Sequence, residues 1–135
     1  MSDALYQDTL LKLAKEAPRQ GRLEPNDASV RLDNPLCGDR VRLDLRMNGP
    51  RIAELAHEVR GCVLCQAAAG VIGLQAIGLD RDGAAALAAD VDRVLGGQKA
   101  VCDTLRCFSP VAAHRSRHDC VRLPFQALME ALKEK

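Results

Sequence analysis

The sequence predicts an α+β domain in which helices cover one face of a three-stranded antiparallel sheet. Two stretches, residues 28–33 and 40–47, alternate apolar and polar side chains, and short turns join them to each other and to a third stretch, which is typical of antiparallel neighbours. Apolar residues with helical spacing precede and follow this block. We expect the whole chain, 1–135, to form a single domain with a sizeable core.

Composition excludes several classes of function. With 19 Lys+Arg against 18 Asp+Glu, the net charge of +1 argues against nucleic acid as the main partner, and three aromatic residues offer no surface for base stacking. No signal pattern begins the sequence, and its longest aliphatic block, 84–89, is too short to cross a bilayer. We therefore expect a cytoplasmic protein without a membrane partner. Six cysteines are many for a reducing compartment, so some should be ligands or reactive thiols.

The first elements follow directly from periodicity. Residues 4–17 predict an amphipathic helix that ends before Pro18. Its apolar stripe consists of Tyr6, Leu10, Leu13, Ala14 and Ala17. Residues 28–33 and 40–47 alternate apolar and polar side chains, which predicts two half-buried strands.

A turn at residues 48–50 leads into a third strand, residues 51–60. We expect a three-residue loop, because it pairs Leu43 with Leu55, whereas a two-residue loop would place a glutamate opposite Leu43. His57 lies on the apolar face of this strand, and we expect it to be a packed residue rather than a ligand.

Between the first two strands, the turn Asn34-Pro35-Leu36-Cys37-Gly38-Asp39 carries a thiol and a carboxylate. Pro35 fixes φ and Gly38 permits backbone angles that other residues avoid, so Cys37 and Asp39 can face one point. Both side chains are ligands for zinc or iron. An isolated Cys-x-Asp is, however, more often an ordinary loop with one buried thiol.

The hairpin is expected to bring a second cysteine to this turn. In the expected register Asp39 lies opposite Val59, so Gly61 and Cys62 lie beside it. Cys62 also stands where a strand turns into a helix, and a helix N-terminus favours a thiolate. Strand geometry alone therefore makes Cys62 a candidate metal ligand.

The chain after the hairpin is expected to be mainly helical. The first helix spans about 63–79, and Asp82 caps a second helix that ends at Gly96. A third, short helix contains Cys102 and Cys107, which we expect to be structural thiols.

A basic loop, residues 109–119, is expected to deliver Cys120 to the start of the last helix, with Pro124 in that helix's first turn. Basic groups near Cys120 favour its thiolate form. They are His114, Arg115, Arg117, His118 and Arg122. A solvated loop is an equally good interpretation of these charges.

These motifs match a known family. The turn at residues 34–39, the Gly61-Cys62 pair and the lone Cys120 at the head of the last helix occur in this order, and the sequence resembles the NifU/IscU/SufU iron-sulfur cluster assembly scaffolds over nearly its whole length. It is most similar to the SufU-type branch. The first reason is the inserted segment between Cys62 and Cys120, and the second is Asp119, where an IscU-type chain has histidine.

The resemblance implies a SufE/NifU-like fold with a metal site at one end, where Cys37, Asp39, Cys62 and Cys120 bind Zn²⁺ or hold Fe²⁺ and a nascent [2Fe-2S] cluster. It implies a scaffold that receives sulfur from a cysteine desulfurase, with Cys120 as a candidate sulfur acceptor, and passes clusters to acceptor apoproteins. Arg117 is a candidate for binding a partner. Such a protein is a scaffold or sulfur acceptor rather than a conventional enzyme.

Two other functions suit the same residues. One is a zinc-dependent sulfurtransferase that relays persulfide sulfur without holding a cluster, and the other is a structural zinc module for protein interaction. Asp39 speaks against the structural module, because such a site is expected to close with four stronger ligands. A carboxylate among thiolates is the weaker ligand and can be displaced, which suits a transfer site.

Cys65 departs from the family pattern, in which serines are common after the Gly61-Cys62 pair. With Cys62 it also forms a Cys-x-x-Cys, which is typical of thioredoxin-like redox sites in a strand-helix-strand context. Here an antiparallel hairpin precedes the motif. We therefore expect Cys65 not to be required for metal binding.

Overall fold

The computed structural model describes residues 3–35 and 38–133. The elements follow in the order α1 (Asp3–Glu16), β1 (Ala28–Asn34), β2 (Asp39–Asn48), β3 (Arg51–Arg60), α2 (Val63–Gln75), α3 (Arg81–Leu95) and α4 (His118–Lys133). Two 3-10 helical segments, Asp103–Ala113 and Arg115–Arg117, connect α3 to α4. The strands form an antiparallel sheet in the order β1-β2-β3. The predicted α+β class and three-stranded sheet are confirmed.

Helices cover one face of the sheet. α2 and α4 pack directly on it, α1 packs on α2, α3 packs on α4, and the segment Asp103–Ala113 packs against α1 and α3. The sheet contributes alternate aliphatic side chains to the core, as expected for strands with one buried face. These are Val30, Val41, Leu43, Leu45 and Leu55. None of the described helices has the length and apolar run that a membrane crossing requires.

The register of the β2–β3 hairpin differs from the prediction. Leu43 lies opposite His57, so the expected pairing with Leu55 is wrong. Asn48 pairs directly with Arg51, which leaves a loop of only two residues, and a bulge near this end adds one residue to β3. Together these changes shift the pairing by two positions. Since side chains alternate with a period of two, Leu55 and His57 still face the core, but the bulge places Ile52 in the core and leaves Ala53 exposed.

The shift also moves the open end of the hairpin. Val59 pairs with Val41 and not with Asp39, as the expected register had it. Asp39 nevertheless lies beside Gly61 and Cys62, because β3 ends there and the chain turns into α2. The predicted neighbours of Asp39 are correct although the pair from which they were inferred is wrong.

α2 ends at Gln75, four residues before the predicted end. The backbone that follows bonds to β3 instead of continuing the helix, since the Gly78 amide donates to the Ile52 carbonyl at 2.8 Å and the Ile52 amide donates to the Leu79 carbonyl at 2.9 Å. Gly78 has φ +90°, a conformation that glycine adopts without steric cost. A long-range contact therefore sets the length of this helix.

The starts of the two later helices differ as well. Asp80, rather than the expected Asp82, caps α3 by accepting a hydrogen bond of 2.8 Å from a first-turn amide. Residues 109–119, expected to be a basic loop, are mainly 3-10 helix. α4 begins at His118, so Pro124 lies in its second turn and not in its first.

His57 fastens the connection between α1 and β1 to the sheet. Its Nε2 lies 2.7 Å from the Pro18 carbonyl, its amide donates to the Arg19 carbonyl and its carbonyl accepts from the Gly21 amide. Because a carbonyl only accepts, Nε2 carries the proton, and Nδ1 is a buried atom without a hydrogen-bond partner among the described residues. The side chain is buried as expected, and burial lowers the pKa of His57, while the bond to Pro18 opposes that shift.

This burial predicts a loss of stability in acid. The unfolded chain takes up a proton on His57 near its ordinary pKa of 6.5, whereas the folded chain resists it. Below that pH the unfolded state therefore binds more protons, and the free energy of unfolding falls by at most about 1.4 kcal/mol per pH unit. In His57→Gln this part of the loss should be absent. The measurement is the thermal midpoint at several pH values between neutral and moderately acid.

His114→Gln is the matched control, since it removes an exposed imidazole from the segment before α4. It should keep the wild-type dependence on pH. An unchanged pH dependence in His57→Gln would show that His57 does not contribute.

Candidate metal centre

Asp39 is a carboxylate placed at the end of the sheet on its core-facing side. It begins β2 and pairs with Asn34, the last residue of β1. Gly38 precedes it at φ +74°, and the Gly38 amide donates to the Asn34 carbonyl at 2.8 Å. Since side chains alternate along a strand, Asp39 points to the same side as Val41. The side chain is buried, with 2% of its surface exposed.

Gly61 leaves the space that this carboxylate occupies. A Cβ atom at residue 61 would lie 2.8 Å from Cγ of Asp39 and closer still to Oδ1. The same oxygen accepts a hydrogen bond of 3.1 Å from the Cys62 amide. From the sequence, Gly61 was expected only as part of a motif, and this role was not predicted. A glycine directly before a candidate ligand was the available signal.

Cys62 is the N-cap residue of α2, with φ −71° and ψ 168°. Its sulfur lies 3.9 Å from Oδ2 of Asp39. The thiol is half-buried, and the free amides at a helix N-terminus favour negative charge in its vicinity. The predicted position at a strand-to-helix turn is correct.

Cys120 comes from the first turn of α4, as the sequence predicted, and is 1% exposed. The ligand atoms of Asp39, Cys62 and Cys120 all lie within 4.8 Å of one another. Three side chains from β2, α2 and α4 thus meet at one end of the sheet. Cys37, the fourth predicted ligand, lies outside the described residues.

Two thiols and a buried carboxylate are a donor set that fits zinc or ferrous iron. In a tetrahedral zinc site with Zn–S near 2.3 Å, two sulfur ligands are roughly 3.8 Å apart. The observed spread of at most 4.8 Å needs only small side-chain movements to reach that value. Chemistry and spacing both agree with a metal centre.

The basic residues near Cys120 in the sequence contact other groups or face solvent. Nε2 of His118 lies 3.0 Å from the Val111 carbonyl, so this histidine ties α4 to the preceding segment. Arg122 forms an ion pair with Asp92 at 2.9 Å, so its charge is paired with a carboxylate outside the candidate centre. Arg117 is exposed just before α4.

The remaining described cysteines are packed to different degrees. Cys65 and Cys107 are buried and Cys102 is half-buried. Burial raises the pKa of Cys107 to about 12, and its thiol donates to the Thr104 carbonyl at 3.2 Å. Cys107 therefore remains a protonated, structural thiol at neutral pH.

Comparisons with known proteins identify the class. Residues 5–131 match the family model described as the NifU-like N terminal domain. A NifU-like protein (N-terminal) from Brucella abortus has a similar solved structure, with a TM-score of 0.89, 29% identity and coverage of 98% of this chain and 94% of that one. The chain belongs to the NifU-like N-terminal domain family.

Two relatives in this family carry functional names. The iron-sulfur cluster assembly scaffold protein IscU of Streptococcus pyogenes serotype M1 is 28% identical over 133 residues, which cover 96% of this chain and 83% of the relative. The zinc-dependent sulfurtransferase SufU of Bacillus subtilis (strain 168) is 32% identical over 71 residues, which cover 52% of this chain and 47% of the relative. The predicted resemblance to NifU, IscU and SufU proteins is confirmed.

Gly61→Ala should weaken metal binding by displacing Asp39 from the Cys62 amide. Substitutions next to a metal ligand typically lower affinity by about 10- to 100-fold, and a change in this range is expected here. The measurement is zinc affinity by competition with a chromogenic chelator. Gly96→Ala, at the C-cap of α3 with φ −83°, is the control and should bind zinc like the wild type. Equal zinc affinity in both variants would contradict the assigned role of Gly61.

Cys65→Ala should retain the full metal content, because Cys65 is not part of the cluster of Asp39, Cys62 and Cys120. Cys62→Ala is the matched substitution one helical turn earlier and should lose metal. The measurement is the metal-to-protein ratio after purification. If Cys65→Ala lost its metal, the Cys-x-x-Cys interpretation would have to be restored.

Proposed function

We propose that this chain is an iron-sulfur cluster assembly scaffold that builds its cargo on Cys37, Asp39, Cys62 and Cys120. The observation that supports the proposal is the convergence of two thiols and a buried carboxylate within 4.8 Å. Cys37 supplies the fourth ligand in this proposal, because it stands two residues before Asp39. The scaffold name of the IscU relative adds support.

The carboxylate gives the proposed site a way to release its cargo. Thiolates bind ferrous iron strongly, whereas a carboxylate is a harder and weaker partner for a soft metal centre. An incoming thiol or sulfide therefore displaces Asp39 first. Three thiolates retain the cargo while one position exchanges.

A cysteine desulfurase is the proposed sulfur donor, and acceptor apoproteins receive the cluster. In the transfer step a thiolate of this chain attacks the terminal sulfur of the donor's persulfide, the donor's S–S bond breaks, and the donor leaves as a thiolate. Cys120 is the proposed acceptor, with Arg117 nearby to bind the donor. Because Cys120 is 1% exposed, the side chains that cover it must move for the step to occur. Thiol ligands of this kind stay reduced in the cytoplasm, where we place the protein.

The second candidate function is a zinc-dependent sulfurtransferase of the SufU type. It is favoured by the name of the Bacillus subtilis relative and by the long segment between Cys62 and Cys120. Asp39 and the cysteines would hold the zinc. Zinc bound there would keep its thiol ligands in the nucleophilic thiolate form.

Anaerobic reconstitution distinguishes the two functions. The protein is incubated with ferrous iron and sulfide, and its visible absorption is compared with its metal content as purified. A scaffold develops cluster absorption that is lost in Cys62→Ala and Cys120→Ala. A sulfur relay holds one zinc per chain and develops no cluster. Absence of both metal and cluster would contradict both functions.

Replacing Asp39 tests why the site contains a carboxylate. In Asp39→Ala a reconstituted cluster should pass to an acceptor apoprotein more slowly, because the most easily displaced ligand is gone. Asp39→Cys should slow the transfer further, since a fourth thiolate binds the soft metal more tightly. The measurement is the rate of cluster transfer together with the thermal midpoint of each variant.

Glu130→Ala is the matched control. It removes an exposed carboxylate that is paired with Lys133 near the end of α4 opposite to Cys120, and it should leave the transfer rate unchanged. Faster transfer from Asp39→Ala, or a large loss of stability without any change in transfer, would favour a structural zinc site instead.

A further inference from the structure

The uncovered face of the sheet carries a cluster of arginines that the proposed function does not use. They line a groove of about 410 Å³ that lies over all three strands. We call this surface the arginine face; it consists of Arg22, Arg31, Arg40, Arg42 and Arg60. Arg22 comes from the α1–β1 connection, and the others come from β1, β2 and β3.

Like charges oppose each other directly on this face. Arg31 is the cross-strand partner of Arg42, and Arg40 is the cross-strand partner of Arg60. Directly opposed like charges destabilise a sheet. An arrangement with two such pairs on adjacent strands is stabilised when negative charge is brought to it.

The protein itself supplies part of that negative charge. Arg40 pairs with Asp33 at 2.8 Å, and Arg42 pairs with the buried Asp44 at 3.2 Å. One member of each opposed pair is therefore neutralised. The other members, Arg31 and Arg60, are exposed, and within the described part of the chain no carboxylate lies within 4.0 Å of either guanidinium.

The arginine face reaches the end of the sheet where the candidate metal centre lies. Arg40 and Arg60 also line a neighbouring groove of about 380 Å³, whose wall includes Gly38 and Asp39. Arg60 stands two residues before Cys62 in the sequence. A molecule bound to the arginine face is thereby held at the end of the sheet that carries Asp39, whose buried carboxylate points to the other side of the sheet.

We propose that the arginine face docks an acidic polypeptide segment of a protein that exchanges sulfur or metal with the adjacent centre. The role of the partner rests on the proposed function, whereas the binding of an acidic segment does not. Guanidinium groups bind carboxylates through paired hydrogen bonds, so Arg31 and Arg60 complement such a segment. Neighbouring strands are roughly 4.8 Å apart, so three strands present a face about 10 Å wide, which suits a short extended segment.

The existing ion pairs do not obstruct this binding. Arg22 and Glu58 are 56% and 45% exposed, and Arg40 and Asp33 are 50% and 46% exposed. Exposed pairs of this kind contribute little to stability and exchange readily for others. Nucleic acid is a poorer occupant, because the net charge of the whole chain is only +1 and the face has no aromatic side chain for base stacking.

The test is fluorescence anisotropy with a labelled oligoglutamate peptide at low salt, with an oligoglutamine peptide of the same length as the uncharged probe. Arg31→Gln/Arg60→Gln should raise the Kd for oligoglutamate about tenfold, as expected for the loss of two exposed charge pairs. Lys12→Gln/Lys99→Gln is the matched control, since it removes two exposed positive charges elsewhere and should change the Kd less than twofold. Circular dichroism establishes that each variant is folded.

Equal weakening by the two double variants would overturn the proposal, because it would indicate general charge attraction only. Absence of oligoglutamate binding would overturn it too. Tighter binding of a single-stranded oligonucleotide through Arg31 and Arg60 would assign the face to nucleic acid instead. The assay needs neither metal nor sulfur, so a failure of cluster assembly leaves its result unchanged, and the arginine variant should keep its zinc.

Discussion

The metal centre depends on the close contact between the Asp39 carboxylate and the backbone at residues 61–62. Gly61 provides the space, and the Cys62 amide donates to Oδ1 at 3.1 Å. This contact ties the first residue of β2 to the first turn of α2, so a carboxylate and a thiol are positioned by main chain as well as by packing. Desolvating a carboxylate is costly without such a donor. The third group, Cys120, is brought in by α4, which packs on the same face of the sheet.

Local patterns predicted the sheet but not its register. Alternation of apolar and polar residues identifies each strand and its buried face from neighbouring side chains alone. The register depends instead on a bulge in β3, close to the point where Ile52 bonds to the backbone at residues 78 and 79. That contact joins segments far apart in the sequence, and no local pattern reports it. From Leu55 onward the buried face was still predicted correctly because the error was an even number of residues, whereas before the bulge Ile52 is buried and Ala53 is exposed.

The residues of the candidate centre were predictable to different degrees, because some are placed by local structure and others by long-range packing. Cys62 follows from the hairpin, which is a local structure, and its position beside Asp39 does not require the correct register. Cys120 was included through family resemblance, since its approach depends on how α4 packs across the sheet. The role of Gly61 follows from the close approach of the Asp39 carboxylate to residue 61, which only the folded chain shows. The pairing of Arg40 with Arg60 likewise required the true register.

A displaceable ligand is useful only if the incoming group is held beside it. In this structure Cys120 is covered, whereas Cys62 is half-buried and its neighbour Val63 is 38% exposed, so exchange is favoured from the α2 side of the centre. Arg60 precedes Cys62 by two residues and Arg117 precedes Cys120 by three, so positive charge flanks both thiols in the chain. These two arginines can hold an acidic partner beside the centre without competing for the metal, because guanidinium groups do not coordinate cations. In the proposed function, holding the partner and exchanging the ligand therefore fall to different residues.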